Sequence, residues 1–534
     1  MKGIGRFAGY NAAAFRNDAV SGLIVGIIAI PLGMAFAIAT GVKPEYGLYT
    51  TIIAGICISL FGGSKYQIGG PTGAFIPILF AIVLQYGYEN LLIAGFMAGF
   101  ILVLMGLCKL GTLITYIPRP VTIGFTAGIA VLIFSGQIAN FLGLSGLEKH
   151  EDFVPNMKEI ALHLSTTNGY SVATAVICLT VMLIVPRVLP KVPASLIGLV
   201  VSGTVAAFFF HGKAATIGSS FGDIPSLLPQ LHVPAVTWDR IITLIHPALV
   251  IAMLGSIESL LSAVVADGMT HTRHNSNREL IGQGIANMIT PLFGGIPATG
   301  AIARTATNIK NGAISPMSGI MHGVVVLLVL LLFAPFASRI PLASMAPVLM
   351  LVAWNMSERK AFVRMLKTKS SDTVVLLVTF LLTVFTTVTT AVEVGLLLTI
   401  VLFAKRMCDS VKTHIVQEGQ SLPQLGMVAI EGPFFFGSAR SVEKSIMDLI
   451  AYRPNVVLLQ MDKVPFMDLT GESHLSAVVK HIKTSGGKVL IAGIQPQPLA
   501  IIQSTGLHEA IGMEHFFEHP TKALDSVMPR ANPS

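Results

Sequence analysis

Charge is what this 534-residue sequence has least of: Asp, Glu, Lys and Arg supply only 12% of it, where an ordinary soluble domain carries roughly 25%. With 53% hydrophobic residues and a mean hydropathy of +0.74, most of the chain must be solvated by lipid. Cysteine is scarce too. Cys57, Cys108, Cys178 and Cys408 sit in or beside apolar runs without a CxxC pair, which excludes a disulfide framework and a cysteine metal site. P-loop, dinucleotide fingerprint and nucleophile–base pair are all lacking, so neither an enzyme nor a cofactor is expected. The net charge of +8 comes with no basic stripe or RNA-binding motif. It is therefore read as the Lys and Arg excess of cytoplasmic loops rather than as a nucleic-acid surface.

What is present is apolar sequence in runs suited to a hydrocarbon core of about 30 Å. Fourteen transmembrane segments are expected near 19–40, 47–62, 74–87, 89–109, 120–141, 170–186, 194–211, 244–266, 278–293, 300–310, 316–336, 341–356, 372–388 and 390–407. The segments 74–87 and 300–310 are too short to cross alone, and each follows a Gly/Pro-rich stretch. Each reads as an extended strand leading into a half-helix. Residues 1–18 read as an interfacial lead-in rather than a signal peptide, because no small-residue cleavage pattern follows. Lys109, Arg119, Arg187, Lys191, Arg273, Arg278 and the basic loop 357–371 fall on one predicted side, and the acidic loop 142–169 on the other. Both termini are then cytoplasmic in the cell's inner membrane. Beyond about residue 411 short β-like runs (Met427–Glu431, Val456–Met461, Lys488–Ala492) alternate with helical stretches such as Ser438–Tyr452 and Gly471–Ser485, the rhythm of a soluble α/β domain over 411–534.

The transmembrane part, 19–410, echoes itself. Gly69-Gly70-Pro71-Thr72-Gly73-Ala74 is matched by Gly294-Gly295-Ile296-Pro297-Ala298-Thr299-Gly300-Ala301. Halves of seven segments each, about 19–211 and 244–407, run in opposite orientations, and paired Gly/Pro-broken segments point to a midplane site. Half-helix N-termini around Thr72, Gly73, Ala74 and Thr299, Gly300, Ala301 would present amides, hydroxyls and positive dipole ends, which suit a small anion. The competing reading is that these glycines only permit close helix packing. Arg304, just inside the second half-helix, is either the fixed positive charge of the pocket or an arginine snorkelling to the interface. Glu258 is the only carboxylate between Ile241 and Ala266. It reads as a proton carrier, a cation ligand or half of a structural ion pair, with Ser262 one turn on beside it. His271 and His274 lie in a loop without a cysteine or carboxylate at ligand spacing, so no metal is expected.

At these residues the chain resembles the sulfate permease family of anion transporters (solute carrier 26 in animals). The shared wording includes Ala29-Ile30-Pro31-Leu32-Gly33-Met34-Ala35-Phe36-Ala37, Gly47-Leu48-Tyr49, Glu258-Ser259-Leu260-Leu261 and Asn277-Arg278-Glu279-Leu280-Ile281-Gly282-Gln283-Gly284. The resemblance implies a core moving against a gate in an elevator-like cycle, a homodimer, and a C-terminal STAS domain with its own cytoplasmic protein partner. It also implies that Phe36 lines the anion pocket and that Glu258 couples transport to protons. Glutamate at 258 and arginine at 304 both depart from the family's sodium–bicarbonate members. Asp468-Leu469-Thr470-Gly471 matches the STAS signature turn, with Thr470 either a phosphorylation site or a helix N-cap. Val352-Ala353-Trp354-Asn355-Met356-Ser357 and similar runs resemble the DauA-type C4-dicarboxylate branch. Its substrates, such as succinate, fumarate and aspartate, lead the expectation. Sulfate or bicarbonate transport, or an uncoupled anion channel, are the alternatives.

Overall fold

The computed structural model describes residues 10–112, 118–189, 192–210, 212–232, 234–368, 370–416, 425–450 and 454–527. The first nine residues of the lead-in, Lys191, Lys369 and the end of the C-terminal domain lie outside these. Contacts divide the chain into two compact units that meet in sequence between Leu396 and Leu397.

The first unit begins with α1 (Ala12–Ala39), α2 (Pro44–Phe61), β1 (Gly69–Gly70), a 3-10 turn (Gly73–Phe75), α3 (Ile76–Tyr86), α4 (Tyr88–Leu107), α5 (Arg119–Gly136), α6 (Ile138–Leu142), α7 (Phe153–Leu162), α8 (Gly169–Val188) and α9 (Ala194–Phe209). Then follow α10 (Ile217–Phe221), α11 (Trp238–Thr270), α12 (Ser276–Ile289), β2 (Thr299–Gly300), α13 (Ile302–Lys310), α14 (Met317–Ala337), α15 (Leu342–Met356), α16 (Arg359–Lys367), α17 (Ser371–Phe385) and the start of α18 (Val388–Asp409). A helix occupies each of the fourteen expected segments. Among the described residues, seven (α1, α2, α4, α5 with α6, α8, α11, α14) are long and apolar enough by themselves to cross a membrane. Three short helices interrupt expected loops: α7, α10 and the basic α16.

The packing repeats with the sequence. α1 rests on α14 as α11 rests on α4, and α5 on α17 as α8 on α15. Each of these pairings maps onto the other when the two halves are exchanged. One group is built from α1, α2, α4, α11, α12 and α14 around the half-helices α3 and α13, the other from α5, α8, α9, α15 and α17. Glycine sets the spacing inside the first group. A Cβ on Gly47 would stand 1.9 Å from the Gly33 carbonyl oxygen, and one on Gly284 would stand 2.5 Å from that of Gly99. Backbones come this close only without side chains between them.

The second unit holds β3 (Lys412–Val416), β4 (Leu425–Glu431), α19 (Ala439–Ile450), β5 (Val456–Lys463), α20 (Leu469–Thr484), β6 (Lys488–Ala492), α21 (Pro496–Ser504), α22 (Leu507–Ile511), β7 (Phe516–Phe517) and α23 (Pro520–Asp525). Its sheet runs β3-β4-β5-β6-β7, with β3 antiparallel to β4 and the remaining neighbours parallel. The central strands read as continuous apolar runs because both faces are covered. Val457, Leu458, Leu459 and Met461 are all fully buried.

Candidate functional site

Two chain breaks build the site. Pro71 has no N–H to continue a ladder, and Gly70 holds φ +147, a conformation that side chains avoid. Regular structure therefore lapses after two residues of β1 and restarts in the turn at Gly73. β1 pairs antiparallel with β2, Gly69 facing Gly300 and Gly70 facing Thr299. That pairing satisfies backbone groups far from water. Polar side chains hold the approaches. The Glu279 carboxylate accepts from the amides of Gly63 (2.7 Å) and Ser64 (2.9 Å) before β1. On the other approach, Thr50 Oγ1 accepts from the Ile296 amide at 2.7 Å. Asn287 both accepts from and donates to the Ala298 backbone, at 2.8 Å each.

The start of the first half-helix faces the second helix group. A Cβ on Gly73 would meet Ile133 of α5 and Met356 Sδ of α15 at 3.4 Å and Phe36 of α1 at 3.7 Å. Phe36, Thr72, Gly73 and Ala74 are therefore together, all buried. The Thr72 hydroxyl has no partner among the described residues, and a helix that starts at Gly73 leaves its first amides without intrahelical acceptors. Arg304 reaches the same place from α13. It is 4% exposed, too deep for a snorkelling side chain. Its Nη2 donates to the Pro71 carbonyl, while Nη1 has no partner among the described residues and lies 2.7 Å from where a Gly70 Cβ would be.

The second break is more fully committed to protein. Thr299 Oγ1 donates to the Gly255 carbonyl at 3.0 Å, and the Ala301 amide donates to Ile68 at 2.8 Å. The free amides of α13 are accordingly those after Ala301. A Cβ on Gly300 would run into the Gln67 amide, and Gln67 itself donates to the Ser259 carbonyl at 3.1 Å. Ser262 Oγ donates to Thr305 Oγ1 at 3.2 Å, which also accepts from the Ile68 amide.

Gly255, Ser259 and Ser262 thus mark one face of α11 turned to β1, β2 and α13, and Glu258 lies in that stripe. It is 7% exposed and forms no hydrogen bond or ion pair with another described residue. The ion-pair reading of Glu258 has no cation to support it there.

Thr470 belongs to the second unit and is exposed near the start of α20. It is not the N-cap. Asp468 takes that role, its carboxylate accepting from the amides of Gly471 (2.7 Å) and Phe436 (3.1 Å), because an acceptor three residues before the amide fits a cap. His274 binds Asp267 at 2.7 Å and Ser276 at 3.0 Å, which ties down the α11–α12 turn. The sequence reading missed Gln67, Glu279 and His322. Of these, His322 and Glu279 carried a signal, each being a titratable residue within an expected span.

Residues 15–379 match the sulfate permease family and residues 418–523 the STAS domain. YvdB of Bacillus subtilis (strain 168), provisionally named a sulfate transporter, is 57% identical over 97% of this chain and 99% of its own. The bicarbonate transporter BicA of a Picosynechococcus species is 30% identical over 91% of this chain and 90% of its own. Among solved structures, the murine solute carrier 26 member A9 anion transporter in its inward-facing state superposes with a TM-score of 0.85 over 96% of this chain and 91% of its own, at 18% identity. The transmembrane domain of a cyanobacterial BicA superposes with a TM-score of 0.64 over 73% of this chain and 98% of its own, at 28% identity.

Proposed function

The chain belongs to the sulfate permease family of multi-pass anion transporters, and from that premise we propose that it is a proton-coupled, alternating-access carrier of small anions. The observation that carries the reading is the buried Arg304, held on the Pro71 carbonyl with its other guanidinium nitrogen beside Gly70, just before the hydroxyl of Thr72 and the amides that open the first half-helix. Fixed donors and a positive charge in a low-dielectric pocket favour an anion over water. Because the pocket is bordered by both helix groups, moving one against the other would expose it to alternate sides. Glu258, on the adjacent face of α11, is the proton carrier in this scheme. Its protonation reduces the uncompensated charge that must cross.

Sulfate and bicarbonate are the first substrates, since relatives carry those names. C4-dicarboxylates are the second. One observation favours them: Met356, within the run that resembles that branch, borders Gly73, where an added Cβ would stand 3.4 Å from its sulfur. The protein would act as a homodimer in the inner membrane with both termini cytoplasmic. Its STAS domain would dock a cytoplasmic protein, and phosphorylation of the exposed Thr470 would alter that docking. Uptake of labelled sulfate, bicarbonate, succinate, fumarate and aspartate into proteoliposomes, each competed by the others, tests the reading. Inhibition by one class of anion identifies the substrate; no uptake of any of them contradicts it.

A further inference from the structure

His322 lies in the middle of α14, is fully buried, and neither ring nitrogen makes a hydrogen bond of ordinary geometry with another described residue. Its surroundings make room for it. A Cβ on Gly55 of α2 would stand 3.0 Å from Nδ1 and 3.5 Å from the Gly69 carbonyl, so the ring sits directly behind β1. A Cβ on Gly22 of α1 would stand 3.1 Å from the His322 amide. Arg304 packs against Gly70, the next residue of β1. Asp18 of α1 is the other charged group on this seam, and it is spent on the Ile314 and Ser315 amides and the Ser315 hydroxyl. At the level of the ring, α2 and β1 present no charged side chain.

Polar residues lie on the same side of the chain. Ser315 just before α14, then Ser318 and His322 within it, follow one another at helical spacing, and Ser318 accepts from Asn308, which in turn accepts from Ser21. Small and hydroxyl-bearing residues are ordinary glue between membrane helices. An imidazole without a hydrogen bond of ordinary geometry is not, because a buried polar group left unpaired is costly.

We propose that His322 takes up a proton when a divalent anion occupies the Arg304 pocket, so that a dianion is balanced by two positive groups. This deepens the carrier reading above and rests on it. With Glu258 protonated, Arg304 alone neutralises a monovalent anion, but a dianion leaves one negative charge in a low-dielectric interior, which is costly. As the dianion enters, one proton from bulk solvent joins a ring nitrogen; on release it returns.

The test measures protons taken up per anion bound to the full-length purified protein. Sulfate is the divalent probe and nitrate the monovalent one, by calorimetry in buffers of different ionisation enthalpy. The wild type should take up about one more proton with sulfate than with nitrate, and sulfate affinity should rise about tenfold per unit fall in pH where that linkage is complete. His322→Gln should lose this increment and keep nitrate binding. An unchanged increment in His322→Gln, or its loss in Glu258→Gln instead, overturns the assignment. Equal uptake with both anions in the wild type overturns it without any variant having to fold. Failure of the wild type to bind either anion sinks the carrier reading itself, and this proposal with it.

Discussion

Replacing Arg304 by Ala has two consequences that the geometry separates. The first falls on the anion. Loss of a charge-assisted contact weakens binding by roughly 1.5–3 kcal/mol, which is about 10- to 150-fold in Kd. The second falls on the fold, because Nη2 is the donor to the buried Pro71 carbonyl. Removing it leaves that oxygen unpaired, for about 1–3 kcal/mol of stability. Arg304→Lys keeps a charge but offers it as a point rather than a fork. It can reach Pro71 or the anion, so it should recover stability or affinity in part but not both in full. Sulfate binding by calorimetry, read beside thermal unfolding of the same preparations, separates the two. Affinity unchanged in a folded Arg304→Ala protein would refute the assignment of this side chain to the pocket.

Three further outcomes follow from individual contacts. Glu258→Gln keeps the shape of the protonated acid but cannot titrate, so it should bind substrate and exchange it while losing accumulation driven by a pH gradient; unchanged accumulation removes Glu258 from the coupling. Gly47→Ala would drive a methyl group into the Gly33 backbone, and overpacking costs typically 1–3 kcal/mol or more; a melting temperature equal to wild type would show that α1 and α2 can part freely. Asp468→Ala removes the cap of α20 and should cost about 1 kcal/mol, visible as a lower melting temperature of the C-terminal domain, whereas Thr470→Ala should leave it unchanged.

The broken segments were legible because Gly and Pro together interrupt an otherwise continuous apolar pattern at Gly69–Gly73 and Gly294–Gly300, and close helix packing alone does not call for the prolines. Arg304 and Glu258 stood out for the same kind of reason: charge in an apolar run is expensive. What could not be read was which donors were already engaged. Thr299 and Ser262 look as available as Thr72 in the sequence, yet their hydroxyls are spent on Gly255 and Thr305, 44 and 43 residues away. The helices α7 and α16 escaped because ten and nine residues give too few turns for a period to emerge from a polar loop. β3 escaped because its alternation of Lys412, Thr413 and His414 is polar on the readable positions, and its partner β4 lies beyond a gap in the pattern.

The central claim is that the buried Arg304 pocket carries an anion across the membrane at the expense of a proton gradient. Labelled sulfate followed into proteoliposomes under an inward proton gradient tests it most directly. The account predicts accumulation above the external concentration that collapses with a protonophore and is lost in Arg304→Ala. Uptake that only equilibrates, with or without the protonophore, would contradict it.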